Sequence, residues 1–215
     1  MPRRHLSAVP PPGAPGVAAP ALAAGEADEA ADREAVRRVL GGDAEAFAPL
    51  VRRHGARLVS LCARLSGSRA VGEELAQESL ARAYAGLGAF RDDGPVRLWL
   101  LRIAVNACRD WLKAGARRER PEPQAEADEP TRAAPGPDPQ RVVAGRLALS
   151  ALSRAVAALP PAYREAFTLF HVEGLPYREM RAVTGVRVSA LKVRVHRARE
   201  LLRRSLGDWL DEDGR

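Results

Sequence analysis

Apolar side chains recur at three- and four-residue intervals over two stretches of the chain, residues 32–118 and 142–210. They lose that rhythm over residues 1–31 and 119–141. In the first periodic stretch, Gly41-Gly42-Asp43 reads as a break followed by an N-cap, with the Asp43 carboxylate capping a helix that starts at Ala44. Phe47, Leu50 and Val51 fall on one face of it, and a second helix carries Leu58, Leu61, Cys62 and Leu65 up to Ser66-Gly67-Ser68. A third, from Val71 to about Leu87, sets Ala76, Leu80, Ala83, Tyr84 and Leu87 against a polar face of Glu74, Gln77, Glu78 and Ala81. After the turn signal Arg91-Asp92-Asp93-Gly94-Pro95, a helix starting at Arg97 or Trp99 runs to about Lys113. Its apolar arc is Leu101, Ala104, Val105, Cys108, Trp111 and Leu112.

In the second stretch, Leu147, Leu149, Leu152, Val156 and Leu159 predict a helix stopped at Pro160. Pro161 suits the first turn of the next, which runs to Val172 and ends at Gly174. A short helix from Pro176 to Thr184, a turn at Gly185 and a long helix from Val188 to about Leu206 then read as a helix-turn-helix. Val188, Leu191, Val195, Ala198 and Leu202 make one apolar stripe on the long helix. Ser189, Ala190, Val193, His196 and Arg197 lie opposite, flanked by Lys192, Arg194 and Arg199. A recognition helix has this build: a fixed back, cationic flanks that grip phosphate and short side chains at the front. An ordinary amphipathic surface helix is the rival reading.

Composition sharpens the division. Residues 1–31 are rich in Pro, Ala and Gly and read as a disordered tail. Residues 119–141 hold Pro121, Pro123, Pro130, Pro135, Pro137 and Pro139 among Glu119, Glu122, Glu126, Asp128, Glu129 and Asp138, an acidic extended linker. Aromatic residues are only 5% of the chain while Ala and Leu abound, which favours helix over sheet. The fold class is therefore all-α: two small helical domains, residues 32–118 and 142–210, joined by the linker.

A net charge of +7 points to a polyanionic partner, nucleic acid first. On the fourth helix Arg102, Asn106, Arg109 and Lys113 succeed one another at spacings of four, three and four. That stripe, continued by Arg117 and Arg118, can neutralise phosphates and aim an amide at a base, although a solvated face has the same look. Cys62 and Cys108 sit in apolar runs as core thiols, without zinc or disulfide spacing, and fit a reducing cytoplasm. No signal-peptide core or membrane-length apolar run is visible, so no membrane insertion is expected. His5, His54, His171 and His196 are scattered, and no phosphate loop or nucleophile motif is present. Neither catalysis nor a metal or cofactor is expected.

Several strings together resemble one family, the extracytoplasmic-function (ECF) sigma factors of RNA polymerase. Gly42-Asp43-Ala44-Glu45-Ala46-Phe47, Glu73-Glu74-Leu75-Ala76-Gln77-Glu78 and Trp99-Leu100-Leu101-Arg102-Ile103-Ala104-Val105-Asn106 resemble the first conserved domain. Leu159-Pro160-Pro161, Phe167, Glu173-Gly174-Leu175-Pro176-Tyr177-Arg178-Glu179-Met180 and Lys192-Val193-Arg194-Val195-His196-Arg197-Ala198-Arg199 resemble the second.

The resemblance implies an alternative sigma factor that binds core RNA polymerase and directs promoter recognition, promoter opening and transcription initiation. Glu74, Gln77 and Glu78 would dock on the clamp of the largest polymerase subunit, and the flap of the second-largest subunit would be a further partner surface for the chain. Arg91, Arg97, Trp99, Arg102, Asn106, Arg109 and Lys113 would meet the −10 element, where a base is captured outside the stack. Arg187, Ser189, Ala190, Lys192, Val193, Arg194, His196 and Arg197 would read the −35 element. The linker would run toward the RNA exit path. An anti-sigma factor is the further partner implied, and the chain would work in the cytoplasm at the nucleoid.

The chain departs from the family pattern at a few positions. Glu74 stands where Asp is usual, and Arg181 where Ala is usual at a helix crossing, so that its cation must snorkel outward or the crossing loosen. Ser189-Ala190 replace Gly-Thr, and Val193 replaces Ser, which puts methyl groups on the reading face suited to thymine. A stand-alone helix-turn-helix regulator would account for the second domain but not for the first or the acidic linker.

Overall fold

The computed structural model describes residues 19–91, 94–115 and 150–212, with side chains described from residue 28 to residue 207. The expected linker, Arg117, Arg118, Asp92, Asp93, Leu147 and Leu149 lie outside the described residues. Among those that are described, every regular element is helical.

Helix α1 spans Ala19–Leu40, so helix begins well before the residue-32 boundary expected from composition. The reason is local. Pro20 falls in the first turn, where its missing N–H costs nothing, and the alanines and acids beyond it are good helix formers. The helix is held at its far end by burial of Ala35 and Val36 and by Asp32. That carboxylate, only 1% exposed, accepts from Arg53 and contacts His54 Nε2 at 2.6 Å.

The expected cap at Asp43 is not made. Asp43 precedes a 3-10 turn, Ala44–Phe47, without a side-chain cap, and its carboxylate accepts instead from Arg38 at 2.6 Å. A charged guanidinium partner outcompetes a backbone amide for the same oxygens. Beyond it, α2 is one helix, Ala48–Ser66, not the two predicted. Gly55 sits within it and lowers its propensity without breaking it, because Leu50, Leu58, Leu61, Cys62 and Leu65 form one buried stripe. Val51, expected on that stripe, is exposed.

Helix α3, Arg69–Ala85, packs antiparallel on α2. It buries Leu75, Ala76, Ser79 and Ala83, while Tyr84, predicted inward, is 46% exposed and meets Phe47 edge-on at 5.1 Å. Helix α4, Val96–Gly115, crosses both and buries Leu100, Leu101, Ala104, Val105, Ala107 and Cys108. Its free first amide, Val96 N–H, donates to Glu29 of α1 at 3.0 Å, a carboxylate on the positive end of the helix.

The second unit starts with α5 over residues 150–158. Helix α6, Pro161–Phe167, runs on without a break into a π turn, Thr168–Val172, closed by the Glu173 amide on the Thr168 carbonyl at 2.9 Å. Then come α7, Tyr177–Thr184, and α8, Val188–Glu212. Gly185, at φ 71°, makes the left-handed turn between them that the sequence called for.

The two units share a core. Leu169, Leu175, Met180 and Val183 are buried in the same apolar cluster as Leu61, Leu101 and Val105. A smaller cluster of Ala155, Val156, Leu159, Ala198 and Leu202 holds α5 and α8 together. Leu152, predicted to belong there, is exposed. Cys62 and Cys108 are buried and free. The Cys108 thiol is held far above the ordinary thiol range, first by its hydrogen bond with Cys62 and then by burial, so it packs as an inert apolar group.

Among the described glycines, Gly72 marks the tightest approach, between α2 and α3. A Cβ added at Gly72 would lie 2.5 Å from the Ala63 backbone, whereas one at Gly55 would meet only Val51 at 3.9 Å. Gly72→Ala should therefore destabilise by about 1–3 kcal/mol by wedging the helices apart. Gly55→Ala should stabilise by about 0.5–1 kcal/mol through helix propensity. Urea unfolding of the two variants measures both, and equal shifts of the same sign would refute this account.

Candidate nucleic-acid interface

Three sets of side chains carry the candidate chemistry, and the helix phases decide where each points. On α3, burial of Leu75, Ala76 and Ser79 turns Glu74, Gln77 and Glu78 outward. Glu78 accepts from Arg82 at 2.6 Å, and Gln77 borders an open groove of about 420 Å³ between α2 and α3, with Val59, Ala63 and Glu73.

On α4, burial of Leu101, Ala104, Val105 and Cys108 leaves Arg102, Asn106 and Lys113 exposed in a row. Arg91 is exposed ahead of the helix. Trp99 is half-buried, its ring edge-on to Phe90 at 5.2 Å. Arg97 and Arg109, expected in the same open stripe, lie on its border and turn toward the second unit. Arg97 donates to Glu179 at 2.7 Å. Arg109 donates through Nε and Nη2 to the two Glu165 oxygens, both at 2.7 Å, and through Nη1 to the Thr184 carbonyl at 3.0 Å. The carboxylate hydrogen bond raises the Arg109 pKa further above its already high ordinary value.

On α8 the back is fixed by Leu191, Val195, Ala198 and Leu202, all buried. Ser189, Lys192, Val193, His196 and Arg197 are exposed, Ala190 and Arg194 half-buried, and Arg187 exposed just before the helix. Val193 is 59% exposed, a large apolar side chain left on a polar face. Arg197 is paired with Glu200 at 2.8 Å, and the Glu200 carboxyl is held below its usual range by that hydrogen bond first. Arg181 is exposed: of the two outcomes expected at that crossing, its cation takes the outward one.

One feature of this face has no signal in the sequence. Phe170 and Tyr177 stack at 4.8 Å and form a shelf under α8. Lys192 lies over Tyr177 at 5.9 Å and Arg199 over Phe170 at 5.5 Å. Arg199 Nε also donates to His171 Nε2 at 2.9 Å, so that two of the flanking cations are positioned before any ligand arrives. Phe170 and His171 both lie in the π turn, whose phase differs from that of an α-helix. Among the described residues, no three His, Cys, Asp or Glu side chains could hold a metal ion, and no helix is long and apolar enough to cross a membrane.

A cationic helix-turn-helix joined to a second helical unit with its own cationic stripe defines a two-domain DNA-binding protein. Residues 50–118 match the Sigma-70 region 2 family and residues 149–202 match Sigma-70, region 4. The ECF RNA polymerase sigma-E factor of Escherichia coli (strain K12) is 32% identical over 181 residues, covering 81% of this chain and 94% of that one. That of Salmonella typhimurium (strain LT2) is 33% identical over the same coverage. The RNA polymerase sigma-H factor of Pseudomonas aeruginosa is 31% identical over 84% of this chain and 96% of the relative. Among solved structures, CnrH in complex with the cytosolic domain of CnrY superposes with a TM-score of 0.61 at 28% identity, covering 83% of this chain and 98% of that one. The sigma factor RpoE of Bartonella quintana, in complex with the anti-sigma factor NepR, gives 0.58 at 25% identity over 75% and 96%.

The chain belongs to the ECF family of RNA polymerase sigma factors. It is an alternative sigma factor that directs transcription initiation through core RNA polymerase and promoter DNA, and it is not an enzyme.

His171 gives the interface a pH dependence. Its pKa lies below the ordinary value, first because of partial burial and then because of Arg199. The unfolded chain therefore takes up this proton at a higher pH than the folded chain does. Stability should fall as pH drops from about 7 toward 5.5, and His171→Gln should flatten that slope. The difference between urea midpoints of wild type and variant across this range tests it. Identical slopes would contradict the arrangement.

Proposed function

We propose that the three side-chain sets are the polymerase, −10 and −35 contacts of this sigma factor. Glu74, Gln77 and Glu78 on α3 present acceptors to the clamp of the largest polymerase subunit. Arg91, Arg97, Trp99, Arg102, Asn106, Arg109 and Lys113 meet the −10 element, the cations on phosphate and the Asn106 amide on a base edge. Arg187, Ser189, Ala190, Lys192, Val193, Arg194, His196 and Arg197 meet the −35 element as duplex. Residues 119–141 pass between these sites toward the RNA exit path, and the second unit rests on the flap of the second-largest subunit. The chain works in the cytoplasm, at the nucleoid. An anti-sigma factor is its proposed regulator, because the solved relative RpoE of Bartonella quintana is a sigma factor captured with one.

One observation carries the −35 assignment. The back of α8 is buried at Leu191, Val195, Ala198 and Leu202, while its front combines exposed cations with an exposed Val193. An apolar side chain left in water on a cationic helix fits a thymine methyl.

Transcription with core polymerase on a genomic DNA pool, followed by start-site mapping, tests the whole reading: aligned starts with a shared pair of upstream elements are expected, and no initiation would sink it. Within that assay, Val193→Ser should change the preferred −35 base and weaken the best promoter by about 1–3 kcal/mol. Lys113→Ala should weaken all promoters alike and lower the salt slope by about one. A binding selection in which Val193→Ser retains the parental −35 preference would refute the methyl contact.

A further inference from the structure

The first turn of α4 has no local cap. Pro95, the residue before it, gives its carbonyl to the Leu98 and Trp99 amides at 3.0 and 3.3 Å, but its ring carries no acceptor for the amides ahead of them. The Val96 amide is met instead from 67 positions away, by the Glu29 carboxylate of α1 at 3.0 Å. That carboxylate is itself held in place. Its side chain is only 20% exposed, and the same oxygen accepts from Arg33 Nε, one turn further along α1, at 3.1 Å.

Helix α1 is in turn seated on α2. Asp32 lies three residues beyond Glu29, on the same side of the helix, and its buried carboxylate holds Arg53 and His54. Ala35 and Val36 continue that side into the core. The helix is therefore a strut, with one end fixed on α2 and Glu29 braced against the start of α4. The residues beside the braced point are those assigned to the −10 element. Trp99 stands one turn after Val96, with its ring edge-on to Phe90 at 5.2 Å. Arg91 follows Phe90 and is exposed, and Arg102 is exposed close to one turn beyond Trp99.

We propose that Glu29 is a positioning residue for promoter opening. It fixes the first turn of α4, and with it the place of Trp99 and Arg102 relative to Arg91, so that the receiving surface is formed before a base leaves the stack. Capture of a base offsets the cost of unstacking it best when the surface does not have to be ordered at the same moment. Glu29 acts through Val96 and touches no DNA. This role rests on the proposed −10 function of Arg91, Trp99 and Arg102.

The test uses holoenzyme assembled from the full chain and core polymerase, on the strongest promoter found by start-site mapping, with permanganate reactivity of unpaired thymines as the readout of opening. Glu29→Ala should lower opening about fivefold, as expected for loss of a helix cap, while holoenzyme forms as with wild type. Removing an acid near DNA favours binding on electrostatic grounds, so a fall in opening identifies position and not charge. Glu29→Gln keeps an oxygen that can accept from Val96 and should restore most of the opening. Glu34→Ala, on the exposed side of the same helix, should leave opening unchanged. In the full chain, hydrogen exchange at the Val96 amide should be slow in wild type and about fivefold faster in Glu29→Ala, with the amides of α2 unaffected.

Trp99→Ala is run beside these variants. Opening that falls with Trp99→Ala but not with Glu29→Ala would overturn the positioning role and leave the −10 reading standing. Opening unmoved by either would overturn both. A Glu29→Gln holoenzyme as defective as Glu29→Ala would also defeat the proposal, because the acceptor oxygen would then not be what matters. A wild-type Val96 amide that exchanges as fast as an unstructured peptide would do the same, even where the alanine variant fails to fold.

Discussion

A helix that buries one side has no freedom left in its rotation, and α4 is where this constraint governs the molecule. Leu101, Ala104, Val105 and Cys108 lock its phase against α2 and α3. Once they are inside, Arg102, Asn106 and Lys113 must face out, and Arg97 and Arg109 must fall on the seam between the buried and open sides. The same reasoning applies to α8, where Leu191, Val195, Ala198 and Leu202 fix which residues meet a ligand. The apolar stripes therefore position the chemistry, although they take no part in it.

The cations so positioned are handled in three ways. Arg102 and Lys113 stay in solvent, where holding them in place contributes little to stability. Lys192 and Arg199 rest on the Phe170–Tyr177 shelf, which keeps their charge available and restricts their motion. Arg97 and Arg109 are engaged by carboxylates of the second unit. A chain carrying a net charge of +7 must limit self-repulsion and indiscriminate binding, and its acids are placed where they do both.

The periodic stretches made the helices legible, together with their exposed faces and the glycine turn between α7 and α8, because apolar spacing and left-handed glycine are local signals. Three of the features that escaped show why. The helix from Ala19 was hidden by composition: the alanines that make a good helix also make a low-complexity segment, and its anchor, Asp32 on Arg53 and His54, is a contact across more than twenty positions. The expected Asp43 cap lost to Arg38, a competition that no capping pattern encodes. The seam escaped as well. Glu165, Glu173 and Glu179 look in the sequence like any acids on amphipathic helices, and only the packing of α6 and α7 on α2 and α4 turns them into partners of Arg109, Arg57 and Arg97.

The π turn at Thr168–Val172 gives the second unit an unusual sensitivity to length. It holds one residue more than an α-helical turn of the same rise, and that residue sets the angle at which Glu173 and Leu175 leave the helix. Loss of a single amino acid here would restore ordinary α-helical hydrogen bonding and swing the downstream chain by about 100° around the helix axis. Glu173 would then leave Arg57, and Leu175 the core, while the helix itself became more regular. A deletion that improves local geometry would unseat one half of the molecule from the other.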